Sequence, residues 1–230
     1  IRAGRIAQAA ERLREELWAA HKEPLVGILL NWDSDAIWAA TSVRGRDHFR
    51  HYPMQARVGA SRALINGNIP FEYVTVEDLA AGLAPRYKVI YLPAQLALSA
   101  PLIELLDAYV KQGGRLVLDS PGGWYTESGR VLDTGEGSAF ERLFGAELAD
   151  FQYSNNVPRW LDGRRLSGFI TEIQPTRAKV TARFQTGEAA VTEYRYGKGT
   201  AVLLGWDASF ALFTPGSGQM EERLRNHILG

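Results

Sequence analysis

The sequence predicts an α/β protein: a doubly wound, mostly parallel sheet with an antiparallel C-terminal extension. Three observations carry this. Leu25–Leu30 (LVGILL) is a wholly apolar run without alternation, the pattern of a strand buried on both faces in a parallel sheet. Apolar runs then alternate with helical periodicities as far as Leu118, and such β-α-β alternation implies parallel strands joined by right-handed crossovers. After about residue 150 the texture changes to strands joined by tight turns, which reads as an antiparallel continuation.

The elements follow in order. Residues 2–21 form an amphipathic helix, with Ile6, Ala10, Leu13, Leu17 and Ala20 at helical spacing, and Glu23-Pro24 ends it. The first strand is Leu25–Leu30. Residues 39–56 are long, basic and weakly periodic, the signature of a loop that contacts something else. A helix runs from about Gln55 to Ile65 and stops at Asn66-Gly67-Asn68. Phe71–Val76 is the second strand, 77–80 a short helical turn, and Lys88–Leu92 the third strand, ending at Pro93. Ser99 caps a helix with Pro101 in its first turn and an apolar stripe of Leu102, Leu105, Leu106, Tyr109 and Val110. Gly113-Gly114 closes it, and Arg115–Leu118 is the fourth strand. Thr181–Phe184, Ala189–Tyr196 and Thr200–Leu204 are the later strands, the last two joined by the hairpin turn Tyr196-Gly197-Lys198-Gly199. Ser217–Leu229 closes the chain as a helix.

Composition narrows the function. A chain of 230 residues buries roughly 70% of its unfolded surface, so it needs neither metal nor disulfide for a core. Its 26 basic and 26 acidic residues balance, which argues against a nucleic-acid binder or a polybasic membrane module. With no cysteine, disulfides, zinc-thiolate sites and cysteine nucleophiles are excluded. No apolar run approaches the ~20 residues of a membrane span. The sequence starts at Ile1 with no visible signal peptide. The expectation is a piece of a longer polypeptide, located in the cytoplasm.

In open α/β sheets, sites lie outside the carboxyl ends of the strands. Those ends gather Asn31, Trp32, Asp33, Asp35, Asp119, Trp124, Tyr125, Trp206 and Asp207. Aromatic rings pack on the C–H faces of sugars while carboxylates accept their hydroxyl hydrogens. Carboxylate pairs also serve glycoside hydrolysis. Tryptophan and tyrosine are equally enriched at protein interfaces, and the interface is the favoured reading. The segment Asp47-His48-Phe49-Arg50-His51 places two histidines on one helical face but offers no third ligand, so it reads as a solvated or interface loop. His21 and His227, near helix ends, suit the helix dipole. No Gly-Xaa-Ser-Xaa-Gly elbow and no phosphate loop is present. No metal or cofactor is expected.

Five stretches together are familiar: Pro24–Trp38, Ala63–Val74, Tyr87–Pro93, Tyr109–Val117 and Tyr194–Ala201. In this order and spacing, the chain resembles the middle, or trimerisation, domain of family-forty-two β-galactosidases. That domain is flavodoxin-like and similar to class I glutamine amidotransferases. The resemblance implies that residues 1–23 link to a preceding catalytic (β/α)8 barrel, and that residues 24–230 form the trimerisation domain. The family's catalytic glutamates lie in that barrel, so none maps onto this sequence. An amidotransferase-like fold would carry its nucleophile just after the third strand. Here that stretch is Pro93-Ala94-Gln95-Leu96, without cysteine or serine.

The leading expectation is a non-catalytic oligomerisation domain of a β-galactosidase-like glycoside hydrolase. Its partners would be copies of itself, in a trimer, and the barrel of the same polypeptide, with galactosides as a candidate ligand. A second reading is a stand-alone carbohydrate-binding module with Trp32, Trp124 and Trp206 as stacking platforms. A third is a free-standing hydrolase using Asp33 with Asp119 or Asp207. With no net charge, apolar and aromatic packing must supply most of any association.

Overall fold

The computed structural model describes residues 2–19, 23–41, 47–153, 159–166, 168–213 and 218–230. The leading segment is two helices, α1 (Arg2–Arg12) and α2 (Arg14–Ala19), where a single one was expected. Ile6, Leu13 and Trp18 on it are exposed, Trp18 to 90%.

β1 (Val26–Leu30) is buried along nearly its whole length, as the apolar run requires. It leads directly into α3 (Trp32–Thr41), where a helix was not expected. The polar burst after the strand is in fact a helix start. Asn31 Oδ1 accepts from Asp33 N at 3.1 Å, and Asp33 and Asp35 occupy the first turn, where acidic groups favour the dipole. The long loop expected at 39–56 is therefore shorter than its sequence suggests. After residues 42–46, which lie outside the described residues, a 3-10 turn spans Asp47–His51. α4 (Tyr52–Asn66) starts three residues before the expected point, with Pro53 in its first turn.

β2 (Phe71–Thr75) is followed by α5 (Val76–Ala80), capped by Thr75 and Asp78 in a reciprocal capping box. β3 (Val89–Leu92) leads to α6 (Ala100–Lys111), where Ser99 accepts from Leu102 N at 3.3 Å. β4 (Arg115–Leu118) follows. Next come α7 (Ala139–Phe144) and β5 (Ala146–Tyr153). The hairpin β6 (Trp160–Leu161) and β7 (Arg164–Arg165) precedes β8 (Phe169–Pro175). β9 (Lys179–Arg183), β10 (Ala189–Tyr196), β11 (Gly199–Leu204) and α8 (Gly218–Leu229) complete the chain.

The main sheet runs β2-β1-β3-β4-β11-β10-β8-β5, with β9 also on β10. β2, β1, β3, β4 and β11 are mutually parallel. β10, β8, β9 and β5 pair antiparallel. The fold is the expected one: a parallel, doubly wound half with an antiparallel extension. The extension is larger than its sequence suggests, because β5, β8 and the β6–β7 hairpin carry no clean alternation. β11 joins the two halves: it leaves the β10 hairpin and lies parallel to β4, in register from Thr200↔Arg115 to Leu203↔Leu118.

Apolar layers cover both faces of the sheet. One is centred on α6 and α7, with Leu106, Val110 and Phe140; the other lies under α4 and α8, with Leu64, Leu224 and Ile228. A third cluster of Trp38, Tyr52, Ala94, Leu96 and Phe169 closes over the strand ends.

Candidate functional site

The carboxyl ends of β3, β4 and β11 converge on a sealed polar knot. Asp119 follows β4 and is buried. Its Oδ1 accepts from Ala94 N at 2.6 Å. Its Oδ2 accepts from Tyr91 Oη at 2.7 Å and from Ser209 N at 3.0 Å, and also from Ser209 Oγ. Burial pushes this carboxyl up to about 6, against the pull of those donors. Asp207, three residues past the end of β11 at Leu204, is fully buried. Its Oδ2 accepts from Tyr52 Oη and, at 3.0 Å, from Phe169 N. Among the described residues its Oδ1 has no partner. Burial raises the Asp207 carboxyl well above its ordinary value against the pull of its hydrogen-bond donors, and the Asp119 charge adds to the effect.

This knot fastens distant segments. Tyr52 brings the start of α4, Ser209 the turn before the 3-10 helix Phe210–Leu212, and Phe169 the start of β8. Aromatic rings seal it: Tyr52 stacks on Phe210 at 3.9 Å and on Trp38 at 4.6 Å between centroids. Trp38 Nε1 donates to Ala94 O at 2.9 Å. Ala94 itself stands at φ 48°, a backbone region rare for residues with a Cβ. This is the turn where an amidotransferase-like fold would hold its nucleophile, and a buried methyl group occupies it.

The residues singled out from sequence separate into two groups. Asp119, Trp206 and Asp207 are buried within the chain, which leaves them no face for a sugar or a neighbour. The physical reason is that residues 207–213, α4 and β8 fold over the strand ends. The stacking reading for Trp206 and the hydrolytic pairing of Asp33 with either buried aspartate lose their geometry with this burial. Trp206 instead packs edge-on against His227, with centroids 5.7 Å apart. Trp32 is 64% exposed on the first turn of α3, and Asp33 beside it is also exposed. Asp35 is half-buried in a bidentate pair with Arg57, both contacts 2.8 Å. Trp124 is half-buried against Phe151 at 4.8 Å, and half-buried Tyr125 joins Ala97 and Val131 through its backbone.

Tyr52, Tyr91 and Ser209 escaped the sequence reading. Tyr91 left a signal: a phenol inside a strand buried on both faces must find a partner. The side chains of Asp47 and His48 lie outside the described ones, and among the described residues no three ligating groups gather for a metal.

Asp119 and Asp207 are thus held in hydrogen bonds within the chain. A family model described as the β-galactosidase trimerisation domain matches residues 25–223. The chain belongs to that family. As a trimerisation domain it is a non-catalytic unit of the kind that β-galactosidases carry. No curated protein matches it. Among solved structures it is similar to a catalytic mutant of Gan42B, a GH42 β-galactosidase from G. stearothermophilus. The two share 23% identity and a TM-score of 0.70, over 90% of this chain and 31% of that one. The β-galactosidase from Bacillus circulans sp. alkalophilus gives 16% identity and a TM-score of 0.75, over 94% and 32%. An exo-β-1,4-mannosidase from Opitutaceae bacterium strain TAV5 gives 19% identity and 0.60, over 89% and 34%. The trimerisation domain thus spans about a third of the length of these enzymes.

Proposed function

We propose that this domain holds together the protomers of a β-galactosidase-like glycoside hydrolase whose chemistry resides in a separate barrel of the same polypeptide. The family match over residues 25–223 carries the reading. The sealed strand ends support it, because the two aspartates best placed for chemistry are spent on internal hydrogen bonds. The finer points belong to the same proposal: a trimer as the stoichiometry, a cytoplasmic location, and residues 1–23 as the link to the barrel. Among the described residues no helix is long and apolar enough to cross a membrane. The exposed Ile6, Leu13 and Trp18 of α1 and α2 then cover barrel surface. The solution mass by light scattering after size exclusion tests the proposal. A closed oligomer supports it, and a monomer at every concentration sinks it.

A sugar-contact role is the second reading, favoured by exposed Trp32 beside exposed Asp33. Galactose titration followed by tryptophan fluorescence tests it. A saturable change that vanishes in Trp32→Ala supports contact, and a flat titration removes it. The choice of sugar is not written in this fold, since a mannosidase shares it.

A further inference from the structure

Helix α4 carries apolar residues on its outward side as well as its buried one, among the polar Gln55, Arg57, Ser61 and Arg62. Ala56, Ala60, Ala63 and Leu64 are buried beneath it. On the opposite side Met54 (45% exposed), Val58 (41%) and Ile65 (65%) recur at i, i+4 and i+11. That spacing draws one stripe along the helix, about 16 Å long at 1.5 Å per residue. Scattered exposed apolar residues are ordinary, but an aligned set rimmed by polar groups marks an interaction site.

The surroundings of the stripe match an interface. Two arginines on its rim, Arg57 and Arg62, are paired inside the chain. On one side Arg57 holds Asp35 through two 2.8 Å bonds. On the other, Arg62 meets Glu221 of α8 at 3.4 Å. Tyr73, 44% exposed on β2, continues the apolar surface and is tied to the helix through Ser61 Oγ at 2.6 Å. β2 is the outermost strand of the sheet on this side. An apolar centre with an internally neutralised rim can be desolvated without stranding a charge.

We infer that the outward face of α4, with Tyr73 of β2, is the surface through which this chain meets a second copy of itself. The inference rests on the self-association proposed above, and it names where that association occurs. The occupant follows from three facts: the family is a trimerisation domain, the rim arginines Arg57 and Arg62 are already paired within the chain, and the chain carries no net charge. A closed trimer has head-to-tail contacts, so the stripe supplies one half of each contact.

Sedimentation equilibrium on the full chain tests this with Val58→Glu and Ile65→Glu, each compared with the exposed α6 control Glu104→Lys. Glu at 58 lies one turn from Arg62, so the free chain keeps its helix. Each stripe variant is expected to weaken self-association about tenfold or more, and Glu104→Lys to leave it unchanged. As a second measure, Ile65→Cys introduces a thiol into a chain that has no cysteine. Its alkylation rate is expected to fall about tenfold from dilute to concentrated solution, as docking shields it. Wild-type assembly with unchanged constants for both Glu variants, or a concentration-independent alkylation rate, overturns the interface and leaves the oligomerisation reading standing. A wild-type chain that stays monomeric overturns that reading, and this inference with it.

Discussion

Buried Asp119 and half-buried His227 give this domain opposing responses to acid, and single substitutions separate them. Asp119 titrates at about 6 in the folded chain against an ordinary 3.8. The folded state therefore binds its proton first, and this contribution to stability falls as pH rises from 3.8 to 6. At about 1.4 kcal/mol per pH unit the step is worth about 3 kcal/mol. Asp207, also raised by burial, acts in the same direction. His227 acts in the other. Burial first, then Arg223 and Arg115, push it down to about 4 from 6.5. The unfolded state takes that proton first, so stability is lost as pH falls from 6.5 to 4, again by about 3 kcal/mol. The expectation that His227 carries a charge for its helix end is thereby replaced: the ring is neutral at physiological pH. The experiment is urea unfolding of wild type, His227→Phe and Asp119→Asn at pH 4, 5, 6 and 7, at one fixed concentration, followed by tryptophan fluorescence. Phe keeps a ring against Trp206. Asn loses the acceptor for Ala94 N, an offset present at every pH. Subtracting the wild-type curve removes the background of other carboxylates, such as Glu141 and Glu188, which hydrogen bonds hold low. On acidification from pH 6.5 to 4, His227→Phe should gain about 3 kcal/mol relative to wild type. From pH 6 to 4, Asp119→Asn should lose about 2 kcal/mol relative to wild type. A difference curve that stays flat with pH refutes the argument for that residue.

Three further outcomes follow from the packing. Gly59→Ala would gain about 1 kcal/mol in an exposed helix. Here the new Cβ lies 2.0 Å from Ser209 O, so a loss of about 2 kcal/mol or more is expected in thermal melting. Gly168 stands at φ 87°, and its added Cβ would fall 1.6 Å from Asp207 Oδ2. Gly168→Ala should cost about 3 kcal/mol or prevent folding, read by melting temperature and soluble yield. Tyr91→Phe removes a 2.7 Å donor from a buried carboxylate. It should cost about 2 kcal/mol at pH 7 in urea unfolding, and less below pH 6, where Asp119 protonates.

Much of this molecule is readable along the chain, where one local signal decides an element. The unbroken Leu25–Leu30 run reads as a doubly covered strand, and Val26–Leu30 forms one. Ser99 with Pro101 set the start of α6, and the Gly197-Lys198 turn joined β10 to β11. The balance of charge and the lack of cysteine excluded whole classes of function. What sequence could not decide was which strand-end residues remain open. Asp33 and Asp119 are the same residue type in the same kind of place, yet one is exposed and the other sealed. The difference lies in Tyr91, Ala94 and Ser209, brought to Asp119 from 28, 25 and 90 residues away. Likewise, Met54, Val58 and Ile65 on the outer face of α4 are exposed while Ala56, Ala60 and Leu64 on its inner face are buried, because the sheet lies beneath only one of them. Periodicity records which positions share a face, but burial depends on what the rest of the chain lays over that face, and only the tertiary structure decides that.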